Sequence, residues 1–438
     1  MPSHKRYIII VLAALLFIVH QTAAQGVIDC IKADRYYAAS NYRVYPTPDT
    51  TSLTPAPAGK KPFYISHYGR HGSRYLNSRK AYTIPYNILL KADSLGKLTE
   101  LGKNVKEQIA IIIDDCHGRW GDLSALGQQQ HRDIARRMMK NFPEIFEGDA
   151  HIQARSTTVN RCMLSMGSAL QQMVAINPKL RIDMDASQHD MWYMNFQDKQ
   201  LRDSMMTKRA RRAFDAFSLP SLYKPLLNAR LFNDTAYVRK HVDEKWLNYY
   251  LLKTELIQTN TKNYERIQAS DLFTLEDLYL FWRMENANWY ITYGPSLLNG
   301  GHEPYTQRNL LRKLIHDADS CMRLERPGAQ LRYGHETIIL PLTCLLGING
   351  FDYQTENLDE VESHHWWASQ VFPMAANLQF VFYRSGIDDP DIVFKVLLNE
   401  EEAKLPLPTD MAPYYHWRDF KTHYLKKLDD YCKMRNEK

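Results

Sequence analysis

At 438 residues, with 45% hydrophobic and 24% charged side chains, the chain can bury a sizeable core and is neither disordered nor collagen-like. A formal net charge of +6 is small for this size; it fits local anion sites and argues against a nucleic-acid surface. The six cysteines are widely spaced and form no CxxC pair or zinc pattern.

The first segment reads as a secretory signal over residues 1–24. Lys5 and Arg6 form a basic start, Tyr7 to Val19 is apolar but short for a bilayer span, and Thr22-Ala23-Ala24 precedes a cut ahead of Gln25. A retained signal anchor is the alternative. No later stretch is apolar enough to span a membrane, so the mature chain is expected to be secreted or periplasmic. Disulfides are then permitted, although Cys162 and Cys344 lie in apolar helical patterns that suit buried thiols.

Residues 45–62 carry five prolines and read as loop. The β-prone run Phe63-Tyr64-Ile65-Ser66-His67-Tyr68-Gly69 follows and feeds the turn Arg70-His71-Gly72-Ser73-Arg74. Gly121 to Gly127 opens a helix running to about Asn141, with Ser124 as N-cap. His151-Ile152-Gln153-Ala154 alternates like a short strand and delivers Arg155-Ser156-Thr157. A helix with Val159, Cys162, Met163, Met166 and Leu170 on one face comes next. From 185 to 320 the texture is helical, ending in an amphipathic helix from Arg308 to Met322. Strand signals then return. Gln330 to Tyr333 leads into Gly334-His335-Glu336-Thr337 and a helix ending near Gly347, and Leu378–Phe382 and Ile392–Leu398 read as late strands. Strand–helix alternation interrupted by a helical block predicts an α/β fold: a core over 25–184 and 321–438, with a mainly helical insertion over 185–320.

Arg70-His71, Arg155 and His335-Glu336 each fall just after a predicted strand and before a predicted helix. In an open α/β sheet such positions gather beyond the carboxyl ends of the strands, where helix N-termini favour anions. Flanking cations oppose protonation of an imidazole and keep it nucleophilic, while guanidinium forks match phosphate oxygens.

On these motifs the chain resembles the histidine acid phosphatases, and within them the multiple inositol polyphosphate phosphatases, which include phytases. Arg70-His71-Gly72-Ser73-Arg74 is similar to the family signature. Asp122 to His131 resembles its glycine, glutamine–histidine helix start, and Arg155 to Arg161 its second arginine motif. Pro373–Leu378 and Val396–Glu400 resemble its C-terminal strand region. The resemblance spans roughly residues 60–400 and implies a three-layer core around a central mixed sheet. One departure stands out. The wider family has histidine-aspartate and the inositol polyphosphate branch histidine-alanine-glutamate, where this chain has His335-Glu336-Thr337.

The resemblance implies a phosphomonoesterase in which His71 is the nucleophile. Arg70, Arg74 and Arg155 clamp the phosphate, His335 adds a donor if protonated, and Glu336 protonates the departing alkoxide. No metal and no cofactor is expected, because cationic side chains supply the electrostatic work, and an acidic optimum follows if the acid must be protonated. The partner is a small phosphorylated molecule, first an inositol polyphosphate such as phytate. A broad-range acid phosphatase, a cytoplasmic mutase-type enzyme and a dead polyanion-binding scaffold are the rivals. Arg161 reads equally as an ion-pair partner or a phosphate contact. Lys208, Arg209, Arg211 and Arg212 read first as a solvated helix face and second as a basic wall for extra phosphates. His364-His365-Trp366-Trp367 reads as packing. His189-Asp190 lacks the strand-to-helix setting, and Asn233-Asp234-Thr235 is a glycosylation sequon.

Overall fold

The computed structural model describes residues 25–49, 53–196, 198–222, 226–257, 260 and 272–436; the signal expected over 1–24 lies outside the described residues. A mixed sheet runs through the centre. Its strands are β1 (Lys61–Arg70), β2 (His151–Ser156), β3 (Arg181–Asp185), β4 (Gly328–Gly334), β5 (Asn377–Arg384), β6 (Val393–Leu398), β7 (Glu401–Ala403) and β8 (Tyr415–His416). They lie in the order β3-β2-β4-β1-β5-β6-β7, with β8 on β6. Strands β3, β2, β4 and β1 are mutually parallel, and β5 turns antiparallel against β1.

Period-2 alternation divides the sheet's side chains between two helix layers. Tyr64, Phe380, Phe382 and Phe394 face the helices Arg308–Cys321, Glu336–Leu346 and Trp417–Met434. Ile65, Ile152, Leu331 and Val381 face the opposite way, onto Ala135, Met138, Met166 and Leu170 of the helices Ala125–Asn141 and Asn160–Ile176. Burial on both faces explains the near-continuous apolar runs of β1 and β5. Ser124 caps the Ala125–Asn141 helix through Gly127 N–H, and Gly347 ends the Glu336–Leu346 helix in the left-handed region at φ 64°.

Between β3 and β4 the described chain is helical. Its apolar faces form a second core that also takes in Leu89, Ala92, Val105 and Ile109, from the helices Arg79–Ser94 and Glu100–Asp115. This layer therefore draws on chain before residue 185 as well as after it. The Arg308–Cys321 helix instead lays its Leu310, Leu311 and Leu314 stripe on the sheet. All six cysteines are free thiols, and Cys162 and Cys344 are buried. No helix of the described residues is long and apolar enough to cross a membrane.

Two histidines, His67 on β1 and His131 on the Ala125–Asn141 helix, pack around the Tyr333 ring inside the sheet layer. Burial lowers both from 6.5 to about 3, helped at His67 by His131 and Arg332. The unfolded chain thus binds protons near pH 6.5 that the folded chain refuses until far lower. Stability is full above that pH and falls as acid is added. Each histidine should cost roughly 2 kcal/mol between about pH 6.5 and 4.5. Thermal melts should therefore show Tm falling through this window, with a shallower fall in His131→Gln. A Tm that holds or rises on acidification would contradict it.

Candidate active site

The register of the parallel strands brings three chain segments to one edge. Arg70 pairs with Gly334 and Ser156 with Tyr333, so the turns after β1, β2 and β4 leave the sheet side by side. The start of antiparallel β5 closes the fourth side. Arg70 N–H donates to Ala376 O at 2.7 Å, and Ala375 N–H to His71 O at 3.0 Å.

The turn after β1 is stapled from beneath. Ser73 N–H donates to Gln130 Oε1 at 2.8 Å, and Gln130 Nε2 donates to Ser73 Oγ at 2.9 Å. Gly72 N–H donates to Ser165 Oγ at 3.1 Å. Gly72 and Gly127 touch backbone to backbone; a Cβ at Gly72 would stand 2.3 Å from Gly127 O, which only glycine avoids.

His71 is fully buried, and its Nδ1 lies 2.9 Å from Gly72 O. A carbonyl only accepts, so Nδ1 carries the proton and Nε2 presents its lone pair. Burial, with Arg70 and Arg74, holds the ring well below its usual range despite Glu336 nearby. The His335 ring stands edge-on, 5.8 Å away between centroids. Its Nε2 is 3.2 Å from Thr157 Oγ1, and Cys162 Sγ packs beside it at 3.8 Å. Burial, then Arg161, Arg70 and Arg74, bring His335 to about 4 against the pull of Glu336, so near pH 7 it is neutral and the condition of protonation is not met there.

Glu336 opens the Glu336–Leu346 helix and turns into the pocket. Its Oε2 accepts from Arg70 Nε at 3.1 Å and lies 3.5 Å from His71 Nε2. Its Oε1 accepts from Asn41 Nδ2 at 3.2 Å and lies 3.8 Å from Arg74 Nη2. Burial alone would raise this carboxyl; Arg70, and then Arg74, outweigh it and hold it well below the usual range. The free protein therefore holds Glu336 as a carboxylate, where a protonated acid was expected. Arg70 is pressed down to about 10 by burial but stays charged, and its Nη1 donates to Phe372 O at 2.5 Å.

Arg155 does not join this cluster. It still belongs to β2, and its guanidinium turns to Ala154 O at 2.9 Å, Asp183 O at 3.3 Å and Asp190 at 3.6 Å. The third arginine is Arg161, in the first turn of the Asn160–Ile176 helix, whose guanidinium acts on Arg74, Glu336 and His335. A helix N-terminus aimed at an anion site was the signal in favour of Arg161. Asn41 and Tyr42, whose ring lies 5.2 Å from the Arg74 guanidinium carbon, come from the 3-10 segment Arg35–Tyr42 and had no motif to announce them. Lys208, Arg209, Arg211 and Arg212 lie exposed on the helix Lys208–Leu222, where Arg209 pairs with Glu356; they take no part in the contacts described above. His364 and His365 stack on Tyr353 and Trp367, as packing predicts. His71, His335 and Glu336 each bring one donor atom within 4.8 Å of the others, the reach of a metal site. Guanidinium groups set around those donors favour an anion there over a cation.

A neutral imidazole with a free nitrogen, buried beside guanidinium groups at the mouth of a mixed sheet, is an arrangement suited to an oxyanion held next to a nucleophile. The chain belongs to the histidine phosphatase superfamily (branch 2), whose family model matches residues 69–399. Its fold is similar to the Bifidobacterium longum multiple inositol polyphosphate phosphatase in complex with inositol hexasulfate, with a TM-score of 0.73 at 17% identity over 89% of this chain and 97% of that one. It is also similar to the phytase from D. castellii, with a TM-score of 0.66 at 12% identity over 90% and 85% of the two chains. A third similar fold is the Hafnia alvei phytase in complex with myo-inositol hexakis sulphate, with a TM-score of 0.52 at 12% identity over 85% and 98%.

The Gly72–Gly127 contact carries a direct test. Gly72→Ala should lose about 1–3 kcal/mol in denaturant melts, because the new methyl meets backbone that the staple holds in place. An unchanged melting midpoint would mean that the turn is free to move.

Proposed function

We propose that this protein is a secreted or periplasmic phosphomonoesterase that hydrolyses inositol polyphosphates through a phosphohistidine. The observation that carries the reading is His71 Nε2: deprotonated, buried, without a hydrogen-bond partner, and turned toward the pocket that holds Glu336, Arg70 and Arg74. Nε2 attacks phosphorus in line, the leaving oxygen departs on the opposite side, and water later cleaves the N–P bond. Arg70, Arg74 and Arg161 hold the equatorial oxygens as charge builds; Arg70 and Arg74 are buried, where a cation is worth more than in water, and Arg161 is half-buried at the edge. His335 contributes a neutral N–H. Glu336 supplies the proton to the departing alkoxide and retrieves one from the attacking water.

The substrate class follows from chemistry and likeness together. Three guanidinium groups facing one carboxylate leave positive charge unmatched, which suits a dianionic phosphate. The inositol hexasulfate seen with the Bifidobacterium longum protein is a polyanion of the same shape as phytate. Signal and localisation follow from the sequence of residues 1–24.

Purified full-length protein should release phosphate from phytate faster than from glycerol phosphate, and His71→Ala should lose at least about 10³-fold in kcat on both. Arg161→Ala should lose about 10²-fold in kcat/KM, while Arg155→Ala stays within a few-fold. Glu336→Ala should slow phytate far more than an activated aryl phosphate, whose leaving group needs no proton. Phosphatase activity surviving in His71→Ala would overturn the nucleophile, and faster release from glycerol phosphate would favour the broad-range reading.

A further inference from the structure

We propose that Glu336 is the resident anion of this pocket: in the free protein its carboxylate fills the place of the phosphoryl group, and an entering oxyanion displaces it with uptake of one proton. The inference rests on the reading of the pocket as a phosphate site.

Geometry makes the two anions exclusive. Attack on phosphorus needs the reacting atoms about 3–3.5 Å apart. A Glu336 oxygen already stands 3.5 Å from His71 Nε2, and the same carboxylate holds Arg70 Nε at 3.1 Å and faces Arg74 Nη2 at 3.8 Å. Chain length explains the reach. Glutamate has one methylene more than aspartate. From the first turn of its helix, Glu336 extends as far as Arg70 at the end of β1.

A flat carboxylate fills the place incompletely. Arg70 Nη2, Arg74 Nε, Arg161 Nε and His71 Nε2 are buried and have no hydrogen-bond partner. Such orphans are costly, and a tetrahedral oxyanion offers more acceptors in more directions than a carboxylate. The pocket is thus occupied well enough to be stable and poorly enough to exchange.

Displacement reverses the forces on Glu336. In place, it is held ionised by Arg70 and Arg74, with Arg161 adding from the helix after β2. Tyr42 of the N-terminal segment acts on Arg70 and Arg74, and His335 and the Tyr293 hydroxyl of the Leu275–Tyr293 helix also interact with the carboxylate. A bound dianion takes over the guanidinium charge and stands beside the carboxylate as a like charge. Both changes favour the acid form, so a solvent proton adds to the displaced carboxylate and no other bond changes. The proton that the departing alkoxide requires is thereby loaded by binding itself.

Inorganic sulfate is the probe, because it stays a dianion near neutral pH and cannot be hydrolysed. Calorimetric titration of the full-length protein at about pH 6.5, in buffers of different ionisation enthalpy, should show uptake close to one proton per sulfate. Glu336→Gln, checked for folding by its melt, should bind sulfate about tenfold tighter and take up none, since no resident anion must leave. Sulfate binding without proton uptake, or uptake retained in Glu336→Gln, would overturn the proposal and leave the phosphate site standing. Absence of sulfate binding to both proteins would instead overturn the phosphate site itself. If the variant does not fold, the buffer dependence of the wild-type protein decides alone.

Discussion

A carboxylate buried beside guanidinium groups sets the character of this pocket. Burial drives Glu336 toward the neutral acid and presses Arg70 down, and the two opposite charges offset each other's burial. Removing one partner from such a pair leaves an uncompensated buried charge, a cost of about 3–5 kcal/mol. The pair therefore does two things at once. It permits Arg70 and Arg74 to be packed beside an imidazole in a buried site, with Arg161 at its edge, and it leaves their charge incompletely matched, a balance that suits a more highly charged anion. The neutral state of His71 follows from the same field, because burial and the Arg70 and Arg74 charges oppose a proton on the ring more than the single carboxylate favours it.

The scaffold's contribution is register. Parallel pairing aligns the ends of β1, β2 and β4 within one residue of each other, and this brings side chains separated by hundreds of positions to one place. Precision within that place comes from polar staples and close backbone contact. Gln130 and Ser165 hold the backbone of the turn after β1, Gly72 O fixes the His71 tautomer, and the Gly72–Gly127 contact leaves no room for the turn to shift. His71 thus sits on a segment braced by two helices and a neighbouring strand.

Much of this was legible in the sequence because it rests on local signals. Apolar runs bounded by glycine and proline gave β1, β4, β5 and β6, and Ser124 and Gly347 marked a helix start and a helix end at their positions. His71, Arg70, Arg74, His335 and Glu336 were found because each sits at a strand-to-helix junction. Arg155 was misplaced for a reason that pleating supplies. It lies one residue before the end of β2, so its side chain is set by the strand's alternation, whereas Arg161 belongs to the helix that points into the pocket. The ionisation of Glu336 and His335 was not legible, since it depends on the distances between guanidinium groups that only the fold fixes. Asn41 and Tyr42 carry no motif, and their place over the pocket follows from long-range packing of the N-terminal segment against the helical layer.

Displacement of Glu336 by an entering oxyanion would be seen directly in a crystal structure with bound orthovanadate. Vanadium should lie in line with His71 Nε2, its equatorial oxygens on Arg70, Arg74 and Arg161, and the Glu336 carboxylate should have swung away from Arg70. Vanadate bound elsewhere, with Glu336 still on Arg70 beside His71, would contradict it.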